Sequence, residues 1–164
     1  MRRLLVLAGS LAALALSARS AAQTSEVELV RVEKGARRLT LHDAGGRVLR
    51  TFTGIQLGFS PAGPKRFEGD GRTPEGRYII DHGNDASAYH LSLHISYPAP
   101  AQRAAAAALG RSAGGAIFIH GQPNFLRSGR IAGDWTAGCI ALANEEIEQL
   151  WSLVPDGTSI DILP

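Results

Sequence analysis

The chain contains a single cysteine, Cys139, so no intramolecular disulfide can brace it, and any fold must rest on buried apolar surface. The first 22 residues are expected to add nothing to that core. Arg2 and Arg3 precede an apolar run from Leu4 to Leu16, and Ser20-Ala21-Ala22 offers a small-residue cleavage site. Residues 1–22 are therefore expected to be a signal peptide cut before Gln23. The apolar run is shorter than the roughly 20 residues a spanning helix needs, so no stable membrane-spanning segment is expected after cleavage. No cysteine lies near the cut, which excludes lipid attachment there. The expected location is the periplasm or another extracytoplasmic part of the cell envelope. Residues 23–164 are long enough for one domain with its own core.

Removing the leader also changes the charge. The whole chain carries 17 Lys and Arg against 15 Asp and Glu, but Arg2, Arg3 and Arg19 belong to the leader. The remainder holds 14 basic residues against 15 acidic ones. It has no basic stripe interleaved with aromatics, so a nucleic-acid partner is not expected.

Short apolar runs broken by Gly, Pro and Asp predict a mainly β domain. Leu39 and Leu41 alternate with polar neighbours, and Asp43-Ala44-Gly45-Gly46 separates them from Val48–Phe52, which predicts a hairpin. Phe59 to Gly71 reads as a surface loop and Thr73-Pro74-Glu75-Gly76 as a turn leading into a strand at Arg77–Ile80. From Tyr89 to Tyr97, Leu91, Leu93 and Ile95 alternate with His90, Ser92, His94 and Ser96, giving a strand with one wet face. Ala116–Ile119 reads as a buried strand and Ser159–Leu163 as a last one. Two short helices are expected. One is the alanine-rich Pro100–Leu109 stopped by Gly110; the other is capped by Asn144 and presents Ile147, Leu150, Trp151 and Val154 on one face.

An unpaired thiol in an exported chain is incidental, a site for joining two chains, or a nucleophile. His120 closes an apolar strand and is followed by Gly121, and the polar, glycine-rich loop from Gln122 to Gly138 can return the thiol towards the imidazole. A histidine or backbone N–H dipoles can lower a thiol pKa from about 8.5. Gly138 allows a tight turn before Cys139, where amide N–H groups can meet an oxyanion. Thr136 is suited equally to bracing that turn and to touching substrate. Arg127 and Arg130 are candidate partners for a substrate carboxylate, Trp135 is a candidate cover for the site, and Asp134 is expected to form a turn. His94 is a candidate groove residue. With His90 and His120 it also raises a metal-hydrolase reading, but residues four apart on a strand are about 13 Å apart, too far to share one ion directly. No metal or other cofactor is expected.

His120-Gly121 followed by Thr136-Ala137-Gly138-Cys139-Ile140 resembles the signature of the L,D-transpeptidase catalytic domain, or YkuD domain. Upstream, Gly69-Asp70-Gly71-Arg72-Thr73-Pro74-Glu75-Gly76-Arg77-Tyr78 resembles the family's strand-leading segment, and the likeness extends over about residues 27 to 163. The resemblance implies a β-sandwich with short peripheral helices, Cys139 as nucleophile, His120 as catalytic histidine and peptidoglycan stem peptides as partners. Gly138 belongs with the catalytic turn, and Gly121 joins His94, Arg127, Arg130, Trp135 and Thr136 as candidates at the substrate. Many members carry histidine before Gly-Cys and arginine two places after the cysteine, where this chain has Ala137 and Ala141. Those departures resemble a smaller branch with Gly-Cys-Ile-Ala-Leu that includes hydrolases as well as cross-linking enzymes. Cross-link formation through a thioester is the function implied. L,D-carboxypeptidase or peptidoglycan amidase activity is the alternative, and a noncatalytic envelope-binding module is a third reading.

Overall fold

The computed structural model describes residues 26–164; the expected signal peptide and its cleavage site lie outside them. Eight strands and two helices follow the order β1 (Leu29–Glu33), β2 (Arg38–His42), β3 (Val48–Thr53), β4 (Gly76–Ser87), β5 (His90–Ile95), α1 (Pro100–Ala108), β6 (Ile117–His120), β7 (Ile140–Ala141), α2 (Asn144–Leu153) and β8 (Thr158–Leu163). The strands form one mixed sheet, ordered β3-β2-β1-β8-β4-β5-β6-β7. β1 pairs in parallel with β8, and β6 with β7; the other neighbours are antiparallel. The result is the expected β-sandwich with short peripheral helices. No helix among the described residues is long and apolar enough to cross a membrane.

The hairpin, the loop, the wet-faced strand and the final strand lie where alternation placed them. Val30 and Val32 of β1, Leu39 and Leu41 of β2, and Ile160 and Ile162 of β8 meet in a core that also takes Ile80, Ile95, Ile119 and Ile140. Ile147 and Leu150 of α2 are fully buried in it. Each such side chain contributes about 1.5–3 kcal/mol relative to an exposed position. Trp151 lies against β4 at Gly83, where a Cβ would stand 2.4 Å from the indole ring. Two expectations are corrected. β4 runs on to Ser87, well beyond Ile80, and forms a long hairpin with β5. The N-cap of α2 is Ala143, not Asn144: the Ala143 N–H donates to Glu146 Oε2, while the Asn144 side chain accepts from the Gln122 N–H 2.8 Å away.

The two edges of the sheet are joined by the segment after β3. Gln56 and Ala141 exchange backbone hydrogen bonds of 2.9 and 2.8 Å, and Phe59 and Leu57 bond to Thr136. The Gln56 side chain, 7% exposed, uses every donor and acceptor it has. Its Nε2 donates to the carbonyls of Ile131 and Gly133, and its Oε1 accepts from Gln122 Nε2 and Trp135 Nε1. One turn further on, Gly58 lies so close to the Gly71 carbonyl that a Cβ would stand 2.1 Å from it.

Gln56→Leu keeps the shape but leaves those four partners without their amide. The expected loss is on the order of 3 kcal/mol, measured as a shift in the urea midpoint; a loss below about 1 kcal/mol would remove Gln56 as the closing element.

Candidate active site

β6 delivers His120 to its C-terminal end, and β7 begins one residue after Cys139. Because β6 and β7 are parallel, with Ile119 opposite Ile140, Cys139 falls beside Phe118, two residues before His120 on the neighbouring strand. Both line a groove of about 580 Å³, with Tyr89, Ser92, Phe118, Trp135 and Thr136 among its walls. The sequence separation of the pair is therefore bridged by sheet register.

The turn before Cys139 is built from small contacts. Gly138 has φ +141°, and a Cβ there would stand 2.7 Å from the Arg72 carbonyl. The turn thus packs directly against the Gly69–Tyr78 segment, which explains why the two sequence segments occur together. Thr136 is buried and braces the turn: its hydroxyl donates to the Cys139 carbonyl (2.7 Å) and accepts from the Gly138 N–H (3.1 Å). Gly138 consequently contributes its conformation, since its N–H is already engaged.

His120 is 3% exposed, and its Nδ1 lies 2.7 Å from the Gly121 carbonyl. A carbonyl only accepts, so Nδ1 carries the proton and Nε2 is the basic nitrogen. The ring is held by Tyr89, 4.6 Å between centroids, and by the edge of Trp135 at 5.7 Å. Gly121 permits this packing, because a Cβ would stand 2.6 Å from Asn144 Oδ1 and 3.0 Å from the Tyr89 carbonyl.

Burial sets the protonation of both groups. It pushes the Cys139 thiol up, against the opposing influence of a Phe118 backbone hydrogen bond and the Lys65 charge. It pushes His120 down, only partly offset by the hydrogen bond to Gly121. Both shifts favour the uncharged forms, a thiol at Cys139 and an imidazole at His120. Cys139 Sγ accordingly lies 3.6 Å from the Ala116 carbonyl as a weak donor. Ala116 itself holds φ +52°, a conformation that costs a non-glycine residue about 1–2 kcal/mol and is common around active sites.

The other sequence candidates separate. Trp135 lines the groove and is tied to Gln56. Asp134 anchors the loop, accepting from the Leu57 N–H and pairing with Arg37. Arg130 bonds the Gly54 carbonyl and Glu146, and Arg127 is exposed; neither is among the groove-lining residues. His94 lies outside the groove wall as well and bonds Asp81, whereas His90 bonds Glu148. Tyr89, Ser92 and Gln56 join the site without having been singled out. Ser92 was visible as a wet-face residue of its strand; Tyr89 and Gln56 carried no local signal.

A search of curated proteins finds no match. Among solved structures, the helical cell shape determining protein Pgp2 from Campylobacter jejuni is similar at 27% identity and a TM-score of 0.67, covering 85% of this chain and 48% of that one. Bd1075 from Bdellovibrio bacteriovorus is similar at 19% identity and a TM-score of 0.58, with 85% and 48% covered. An L,D-transpeptidase from Xylanimonas cellulosilytica is similar at 17% identity and 0.53, with 85% and 62% covered. The chain spans about half the length of the first two. The family model for the L,D-transpeptidase catalytic domain, YkuD, matches residues 28–162, and the chain belongs to that family.

Proposed function

We propose that residues 23–164 form a cysteine-dependent L,D-transpeptidase domain that forms or remodels peptidoglycan cross-links in the extracytoplasmic envelope. The observation that supports this most is the shared groove of Cys139 and His120, with Nδ1 of the histidine committed to Gly121 and Nε2 left as base.

On this reading, Nε2 takes the thiol proton as Sγ attacks a stem-peptide carbonyl. The imidazolium that forms is stabilised through Nδ1–H by the Gly121 carbonyl. Collapse of the tetrahedral intermediate breaks the C–N bond, His120 returns the proton to the leaving amine, and a thioester remains on Cys139. Attack by an acceptor amine gives a cross-link and restores the thiol; attack by water gives the hydrolysed stem. Trp135 and Tyr89 hold the imidazole and limit water around it.

The test is incubation with peptidoglycan fragments, with and without an acceptor amine, followed by mass detection. A Cys139 acyl adduct and an amine-dependent cross-linked product are expected; hydrolysed stem as the sole product would convert the reading to an L,D-carboxypeptidase or amidase. Cys139→Ala is expected to lose more than about 1,000-fold in turnover, and His120→Ala roughly 100- to 10,000-fold. Normal turnover by Cys139→Ala would end the thiol mechanism.

The pH profile provides a separate check. A thiol raised by burial gives a free-enzyme alkylation rate that climbs through and beyond about pH 8.5. A histidine lowered by burial stays neutral at pH 7, so the acid limb of kcat/KM falls below about pH 6.5. An alkylation plateau across neutral pH would instead mean a resting thiolate–imidazolium pair.

A further inference from the structure

Outside the groove wall, β4 and β5 bring together a second group of potential donors. His82 and His94 are direct partners in the antiparallel register, and a bulge interrupts that register between Ile80 and His82. Strict alternation would send Asp81 and His82 to opposite faces; the bulge lets both reach His94. His82 Nδ1 and His94 Nδ1 lie 2.8 and 2.7 Å from the same oxygen, Asp81 Oδ1. The two imidazoles stack at 4.6 Å between centroids, and the Phe118 ring supports the His94 ring at 4.9 Å.

We propose that Asp81, His82 and His94 form a binding site for a divalent transition cation such as zinc, separate from the Cys139 thiol. The three candidate donor atoms lie within 4.8 Å of one another. Two imidazole nitrogens and one carboxylate oxygen are a donor set suited to such an ion. Bonds of about 2.0–2.2 Å in tetrahedral geometry place ligand atoms about 3.3–3.5 Å apart. The present hydrogen-bonded spacings of 2.7 and 2.8 Å therefore need to open by about 0.5–0.8 Å. His82 and Asp81 have that freedom, with side chains 56% and 42% exposed. His94, at 20%, is the fixed ligand. Binding at Nδ1 requires the ring proton of each histidine to reside on Nε2, so that both imidazoles bind the ion in neutral form.

Three protein ligands leave a fourth position open to water or another donor. Phe118 both lines the groove and supports His94, so the ion would sit one side chain away from the groove.

The experiment uses the full purified chain with Cys139 blocked by iodoacetamide, so that the thiol is not a ligand. Zinc is titrated by calorimetry, and histidine ring nitrogens are followed by NMR. One zinc ion per chain is expected, with the Nδ1 resonances of His82 and His94 shifted. His82→Ala, at the most exposed ligand, and Asp81→Asn are each expected to weaken binding at least tenfold, about the least that loss of an outer-shell partner costs. Circular dichroism establishes that these surface variants remain folded. Absence of saturable binding, or binding that both variants leave unchanged, overturns the assignment.

Discussion

Closure of the sheet through Gln56 is the constraint on which the site depends. Its backbone pairs with Ala141, two residues after Cys139, and its side chain holds Ile131, Gly133, Gln122 and Trp135. The stretch between His120 and Cys139 has almost no regular structure, so its backbone groups need partners from elsewhere. One buried carboxamide satisfies two of its carbonyls and fixes the indole that touches His120. A polar residue in a closed core is costly when partly satisfied and rigidifying when fully satisfied. Gln56 is the second case, and Trp135 inherits its fixed position from that satisfaction.

The same loop is held from the other side by charge. Asp70 accepts from Lys65 and from the backbone of Arg66, Phe67 and Arg72, and these bonds hold its carboxyl down at about 2 against the opposing effect of burial. Arg72 in turn presents the carbonyl against which Gly138 packs. Lys65 thus has two consequences. It stabilises the Asp70 turn, and its charge acts on the Cys139 thiol in the direction of thiolate. Burial outweighs that pull, so in the proposed mechanism activation of the thiol falls to His120 at the moment of attack.

Local pattern made much of this legible. Alternation placed β2 and β5, and His120-Gly121 with Gly138-Cys139 marked the two ends of the site. Pairings between distant segments left no such trace. β7 is two residues long, far below the length at which alternation becomes readable, and it exists because Gln56 and β6 flank it. Asn144 had the right residue type for a cap, but a carboxamide accepts equally well from a distant N–H, and Gln122 supplied one. Arg130 illustrates the same limit. Its composition and loop position suited a substrate carboxylate, yet Glu146 and the Gly54 carbonyl engage its guanidinium.

The two family departures acquire a physical meaning from these contacts. Ala141 is fully buried and bonded in both directions to Gln56, so an arginine there would place an unpaired charge inside the closure. Ala137 lines the groove, and its methyl leaves His120 as the one imidazole among the described residues of that wall. No charged side chain is among those wall residues either. A ligand in the groove would meet neutral groups: the Asn84 amide, the hydroxyls of Ser87 and Ser92, and the aromatic faces of Tyr89 and Trp135. A neutral wall also favours the neutral thiol–imidazole pair, since no nearby carboxylate holds a proton on His120 and no wall cation draws one from Cys139. In the proposed mechanism the chemistry is thereby concentrated in a single proton transfer, from Sγ to an imidazole whose other nitrogen is already committed to Gly121.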